Sequence, residues 1–113
     1  MPIESYREVE PAPVTMAGAK DVTMRVVIGP KQGAPNFVMR VFEMQPGGHS
    51  PRHRHDYEHE IFVHRGTGEI FCDGKTYPVA PGHYAFIAPN LEHQVLNTGQ
   101  EPLLFVCLIP NIE

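Results

Sequence analysis

Five of the seven histidines, His49, His53, His55, His59 and His64, fall between Gly47 and Gly66 in the stretch GGHSPRHRHDYEHEIFVHRG. In an extended backbone successive side chains alternate between two faces, so His53, His55 and His59, which share one parity, point the same way. Left without an ion, the three would repel one another once protonated and cost desolvation once buried. As neutral imidazoles they make a divalent-metal site in want of a fourth ligand. His93, in PNLEHQVLN, is the candidate for that position. His49, His64 and His83 are assigned the ordinary fate of surface or hydrogen-bonded histidines and are not expected to bind the metal.

The elements that must position these residues are short strands. Ten glycines and twelve prolines in 113 residues favour many turns. No capped segment with a 3.6-residue apolar period is long enough to be a core helix. Strands are expected over Asp21 to Gly29, Phe37 to Met44, Ile61 to Arg65, Glu69 to Cys72, Lys75 to Val79, Tyr84 to Ala88, His93 to Leu96 and Leu103 to Ile109. Extended histidine-bearing segments precede Ile61. Asp73-Gly74 is the strongest hairpin signal in the chain. Gly29 to Asn36 reads as a loop, and Gln45 to Ser50 (QPGGHS) as a turn that ends a strand. About ten short strands at even spacing make an antiparallel sandwich or barrel. Residues 1–20, polar and broken by proline, are expected as an N-terminal arm, with a single strand at most, packing late or onto a partner subunit. Residues 21–113 form one domain, as this length allows.

A formal net charge of −4 gives no electrostatic reason to expect nucleic acid or an anionic membrane surface as a partner. No apolar run reaches the length of a membrane span, and MPIESYREVEPAP lacks the charged and apolar regions of a signal peptide. Cys72 and Cys107 make no disulfide framework, so the cytoplasm is the expected compartment. Nothing resembling a nucleophile triad, a phosphate loop or a clustered basic surface competes with the histidines. The partner to expect is a small molecule.

Two spacings resemble those of a known family. Gly47, five residues, His53, one residue, His55, three residues, position 59, six residues and Gly66 has the layout of the first cupin motif. Gly82, five residues, Ala88, one residue, Asn90, two residues, His93, three residues and Asn97 resembles the second. With the flanking strands the resemblance covers about Val22 to Pro110. It implies an all-β, single-domain antiparallel jelly-roll β-barrel with one divalent metal ion inside one end, held by His53, His55, His59 and His93. Three positions depart from the usual pattern. His59 stands where the family has a glutamate, and Glu60 comes one residue too late. Ala88 replaces a proline, and Asn90 replaces a glycine, although asparagine tolerates the left-handed conformation better than most residues. The wording APNFVMRVF, HDYEHEIFV and FVCLIP is also similar to a subgroup of short bacterial cupins with four-histidine sites, typically holding manganese. Manganese is therefore the metal the resemblance favours; iron, nickel, copper and zinc all suit imidazole ligands.

Four neutral imidazoles leave the charge of a divalent ion uncompensated. Such an ion is a stronger Lewis acid, harder to oxidise, and receptive to an anionic ligand at the two positions an octahedral sphere leaves open. On the last strand either Phe105, Cys107 and Ile109 or Leu104, Val106 and Leu108 face the interior, and the resemblance points to the first set. Val95 shares a face with His93 and completes the expected pocket. Cys107 is then either a small buried core residue or a thiol near the metal, open to oxidation. Arg40, on a largely apolar strand, is the candidate catalytic residue, holding a substrate carboxylate bidentately. The alternative for Arg40 is a packed stem with its head at the rim. Tyr57 and Glu58 line the entrance or sit on the surface.

The expected function is that of a divalent-metal-dependent oxidoreductase of dioxygenase type acting on a small oxygenated or carboxylated molecule. One alternative is a non-catalytic module that binds a small molecule or the metal itself. Another is a metal-dependent isomerase working through an enolate, for which the sequence offers no evident general base. Strands apolar on both faces, Ile61 to Arg65 and Leu103 to Ile109, lead to the expectation of a homodimer.

Overall fold

The computed structural model describes residues 2–112. Its strands are β1 (Ala12–Pro13), β2 (Lys20–Ile28), β3 (Phe37–His49), β4 (His59–Arg65), β5 (Gly68–Cys72), β6 (Lys75–Val79), β7 (Tyr84–Ile87), β8 (His93–Leu96) and β9 (Leu103–Pro110). No α-helix occurs among the described residues. The strands pair antiparallel in the order β6-β5-β8-β3-β9-β4-β7, with β2 on β3 and β1 on β2. The sheet curls into a nearly closed barrel of the jelly-roll type, and β6 and β7 are the two ends of the path.

Local sequence explains the pairing. The β5–β6 hairpin closes on Asp73 and Gly74, both left-handed at φ 50° and 83°, as a two-residue turn of that type requires. In β4 the alternation is strict: His59, Ile61 and Val63 are buried, while Glu60, Phe62 and His64 are exposed. Met44 and Leu103, opposite each other on β3 and β9, are fully buried and anchor one end of the core. Along the same two strands Arg40 faces Cys107, toward the other end. That end holds the histidines.

Two expectations need correction. Gln45 to Ser50 does not end a strand; β3 continues through it to His49. Its register against β2 jumps from Val22↔Met44 to Lys20↔His49, so the intervening residues bulge and the strand turns a corner toward β8, pairing His49 with Leu96. The glycines allow this: Gly47 is left-handed at φ +82°, and a Cβ on Gly48 would stand 2.7 Å from the Lys20 carbonyl oxygen. Residues 51–58, in turn, are not a continuous extended segment. Only His53 makes a β-bridge, and the chain bends at Asp56 and Tyr57.

The N-terminal segment lies along the outside of its own barrel. Ala12 and Pro13 pair with Met24 and Thr23 of β2, and Arg25 Nε donates to the Val9 carbonyl at 2.9 Å. Tyr6 sets its ring edge-on to His64 of β4, with centroids 5.9 Å apart.

Candidate metal centre

Backbone bonds, rather than strand parity, gather the four imidazoles. His53 is locked to His93 of β8 by a reciprocal pair: His53 N–H to the His93 carbonyl at 3.1 Å, and His93 N–H to the His53 carbonyl at 2.9 Å. Asn90 stands in the left-handed conformation at φ 67° and donates its N–H to the His55 carbonyl at 2.6 Å. That bond ties the first motif's loop to the second motif's turn. Ser50 fixes the root of the loop, its N–H on the Val95 carbonyl and its hydroxyl accepting from the Val95 N–H at 2.8 Å. His59 opens β4 opposite Ile87 of β7 and turns its ring inward.

The rings converge closely. One ligand nitrogen from each of His53, His55 and His93 lies within 4.8 Å of the others. His59 lies outside that set of three, with its Nε2 2.9 Å from His55 Nδ1 and its ring centroid 5.0 Å from that of His93. Two nitrogens bound at about 2.1 Å to one ion and at right angles would be about 3.0 Å apart. The His55–His59 separation therefore fits two neighbouring ligands of a shared octahedral ion. His93 donates Nδ1–H to the Leu91 carbonyl at 3.0 Å, which leaves its Nε2 with a free lone pair.

The protonation state fits as well. Burial pushes His55 down to about 4 and His59 to about 3, helped by the neighbouring imidazoles and by Arg40. His53 is lowered by burial, His93 and Arg40. These rings are neutral at physiological pH, the form that ligates. The donor set suits a divalent metal ion and does not by itself select one.

Arg40 projects inside the barrel, close enough to depress three of the imidazoles. Its Nη2 donates to Cys107 Sγ at 3.1 Å, and the guanidinium lies 5.1 Å from the Phe42 ring. Its Nε is buried with no hydrogen-bond partner among the described residues. Cys107 is buried and its thiol is pushed up by that burial, with Arg40 acting in the opposite sense. It touches His59 directly, Sγ to Nδ1 at 3.1 Å. Phe105 stacks on Phe42 at 5.1 Å, and Phe105, Ile109 and Val95 all belong to the buried core.

The remaining histidines lie apart. His49 sets Nδ1 toward the Ser50 carbonyl, His64 is exposed with Tyr6 against its ring, and His83 accepts the Ala80 N–H in an exposed turn. Glu60 points outward, where a hydrogen bond with Glu58 raises the carboxyl of the latter. Tyr57 is more intimate with the site than a mere entrance residue: its ring stacks on His55 at 4.5 Å and 3°. Its place between His55 and His59 was the sequence signal for it. The Leu91 carbonyl and the Asn90 N–H left no such signal, because backbone groups have no residue type.

The family model for the cupin domain matches residues 40–109. Among solved structures, the polyketide cyclase RemF from Streptomyces resistomycificus superposes with a TM-score of 0.91 at 32% identity, covering 97% of this chain and 79% of that one. A 1-methylthio-D-xylulose 5-phosphate methylsulfurylase of Rhodospirillum rubrum is 32% identical over 71 residues, 63% of this chain and 46% of the relative. An oxalate-binding protein of Thermotoga maritima is 31% identical over 68 residues, 59% of this chain and 56% of the relative. The chain thus spans about half the length of these two curated relatives. Among the described residues no helix is long and apolar enough to cross a membrane. The match takes in Arg40, both histidine motifs and the last strand, and the chain belongs to the cupin family.

Proposed function

We propose that the protein is a divalent-metal-dependent oxidoreductase of dioxygenase type whose substrate is a small oxygenated or carboxylated anion. The observation that carries this reading is the Arg40 guanidinium held inside the barrel beside four imidazoles, three of them kept neutral by burial. An ion held by His53, His55, His59 and His93, with manganese the expected metal, would supply Lewis-acid polarisation of an oxygen ligand and one-electron redox chemistry.

The chain's own residues do the rest. Neutral imidazoles bring no negative charge, so the interior attracts an anion, and burial of His59 and His93 strengthens that attraction by excluding water. Arg40 has a buried Nε without a partner among the described residues, a donor that a carboxylate or enolate oxygen would satisfy. Phe42 backs the guanidinium plane and limits its swing. Tyr57 covers one flank of His55 and narrows the approach. The oxalate-binding relative, whose ligand is a small dicarboxylate, supports an anion in such a site.

The test is oxygen uptake by metal-loaded protein against a panel of dicarboxylates, α-keto acids and β-diketones. Uptake that requires both metal and Arg40 is expected, with Arg40→Gln raising KM about 10-fold or more, the worth of one charged hydrogen bond. A panel that binds equally well to wild type and Arg40→Gln, with no oxygen consumed, would overturn it. Likeness to a polyketide cyclase favours a second reading, redox-neutral enolisation of a carbonyl substrate in the same site. That reading expects deuterium exchange from solvent into substrate carbon without oxygen uptake.

A further inference from the structure

Behind His59 the interior holds a contact that substrate binding does not use. Cys107 Sγ lies 3.1 Å from His59 Nδ1 and accepts a hydrogen bond from Arg40 Nη2, also at 3.1 Å. The register brings the three together: Arg40 is opposite Cys107, and Cys107 is opposite Ile61, two residues along β4 from His59. A histidine that binds an ion through one nitrogen carries its proton on the other, and a buried N–H needs an acceptor. For His93 that acceptor is the Leu91 carbonyl. For His59, with Nε2 turned to His55 Nδ1, the group facing Nδ1 is the sulfur.

Resting on the metal-centre reading above, we propose that Cys107 is a positioning residue. Its sulfur accepts the Nδ1–H of His59 and so fixes the tautomer that presents Nε2 to the ion. Arg40 donates to a second lone pair of the same sulfur and holds the side chain in the rotamer that faces His59. The thiol hydrogen then points away from both donors. A packing role would need only a small apolar volume at this position. The positioning role needs a lone pair.

That difference sets the experiment. Zn2+ is the probe, titrated into the full chain against a competing chelator. Cys107→Val retains bulk without an acceptor, Cys107→Ala removes both, and Cys107→Ser retains an acceptor. The valine and alanine variants should bind Zn2+ about 10–100-fold more weakly, the usual loss when a ligand's supporting hydrogen bond is removed. The serine variant should stay near wild type. In the Zn2+-loaded wild type, nitrogen-resolved NMR of the imidazoles should find a His59 Nδ1–H protected from solvent exchange, kept by serine and lost by valine. A folded valine variant that binds Zn2+ as tightly as wild type would overturn the assignment, as would a serine variant as weak as valine. Should valine and alanine fail to fold, the wild-type spectrum decides: a His59 Nδ1–H in rapid exchange overturns the proposal. Wild type that takes up no Zn2+, or takes it up equally after His93→Ala, would sink the metal-centre reading and this inference with it.

Discussion

A proton and a metal ion compete for the same lone pair, so the depressed histidines decide how the site responds to acid. Unfolded, each imidazole takes a proton near its ordinary value of 6.5; folded, His55 does so near 4 and His59 near 3. Between those values the unfolded chain binds more protons. Stability of the metal-free protein should therefore be full above about pH 6.5 and decline as pH falls below it, which denaturant midpoints measured across pH would record. Metal, held through the same lone pairs, should be released as pH falls through that region, in a chelator-free dialysis series followed by metal analysis. Alanine variants assign the ligands: His53→Ala, His55→Ala, His59→Ala and His93→Ala should each lose metal, whereas His49→Ala, His64→Ala, His83→Ala and Glu60→Ala should retain it. Retention in His59→Ala with loss in Glu60→Ala would reverse the assignment at the position where this chain departs from its family. That these rings come near one another was legible because histidine is rare and its spacing carries information. Their tautomers were not, since these depend on the Leu91 carbonyl and the Cys107 sulfur, which adjoin the rings only after folding.

Strands announce themselves by alternation and corners by glycine, and each signal has its limit here. The pattern of strand-forming runs and bounding turn residues marked β4, β5, β6, β7, β8 and β9 to within two residues, β6 by the Asp73-Gly74 hairpin and β9 as a continuous apolar run. It failed between Gln45 and Glu58. The Pro46-Gly47-Gly48 sequence signals a turn equally well whether the chain stops pairing or bulges within a strand, and the choice rests on Lys20 and Leu96, remote in sequence. The histidine loop likewise has strand parity without strand pairing, and only the bridge to His93 holds it. Glycine positions can be ranked by the same physics. Gly66 is left-handed at φ 81°, and a Cβ there would collide with the Pro102 carbonyl and the Leu103 backbone. Gly74 is left-handed at φ 83° with open space around it. Gly74→Ala should cost about 1–2 kcal/mol, the left-handed penalty alone. Gly66→Ala should cost about 2–5 kcal/mol, since overpacking against backbone adds to that penalty. Urea unfolding of the two variants checks the order, and metal stoichiometry should survive in whatever fraction folds.

At the scale of the whole molecule part of the outer face of the barrel is largely apolar, with the acidic Glu60 set among its aromatic and aliphatic side chains. Cross-strand partners place Phe62 of β4, Tyr84 and Phe86 of β7, and Val106 and Leu108 of β9 on one surface, with Met39 of β3 at its margin. Phe62, Tyr84 and Phe86 are 48%, 84% and 61% exposed. The N-terminal segment crosses the neighbouring part of this same face, where Tyr6 meets His64, and Arg25 shares a cross-strand row with Val106 and Phe62; the three aromatics stay exposed beyond it. Isolated exposed aromatics need no explanation, but three on the adjacent strands β4 and β7, with β7 at the end of the strand path, form a patch that monomers seldom keep. We expect a second copy of the chain to cover it, face against face about a two-fold axis. A stable interface of that kind buries about 800 Å² on each side, and aromatic anchors at its centre contribute most of the binding. Phe62→Glu together with Phe86→Glu should therefore convert a dimer to a monomer in sedimentation at micromolar concentration. Both side chains point away from the core, so the far-ultraviolet circular dichroism and Zn2+ stoichiometry of the double variant should match wild type. A wild-type protein that sediments as a monomer at that concentration would remove the need for a partner and leave the patch unexplained.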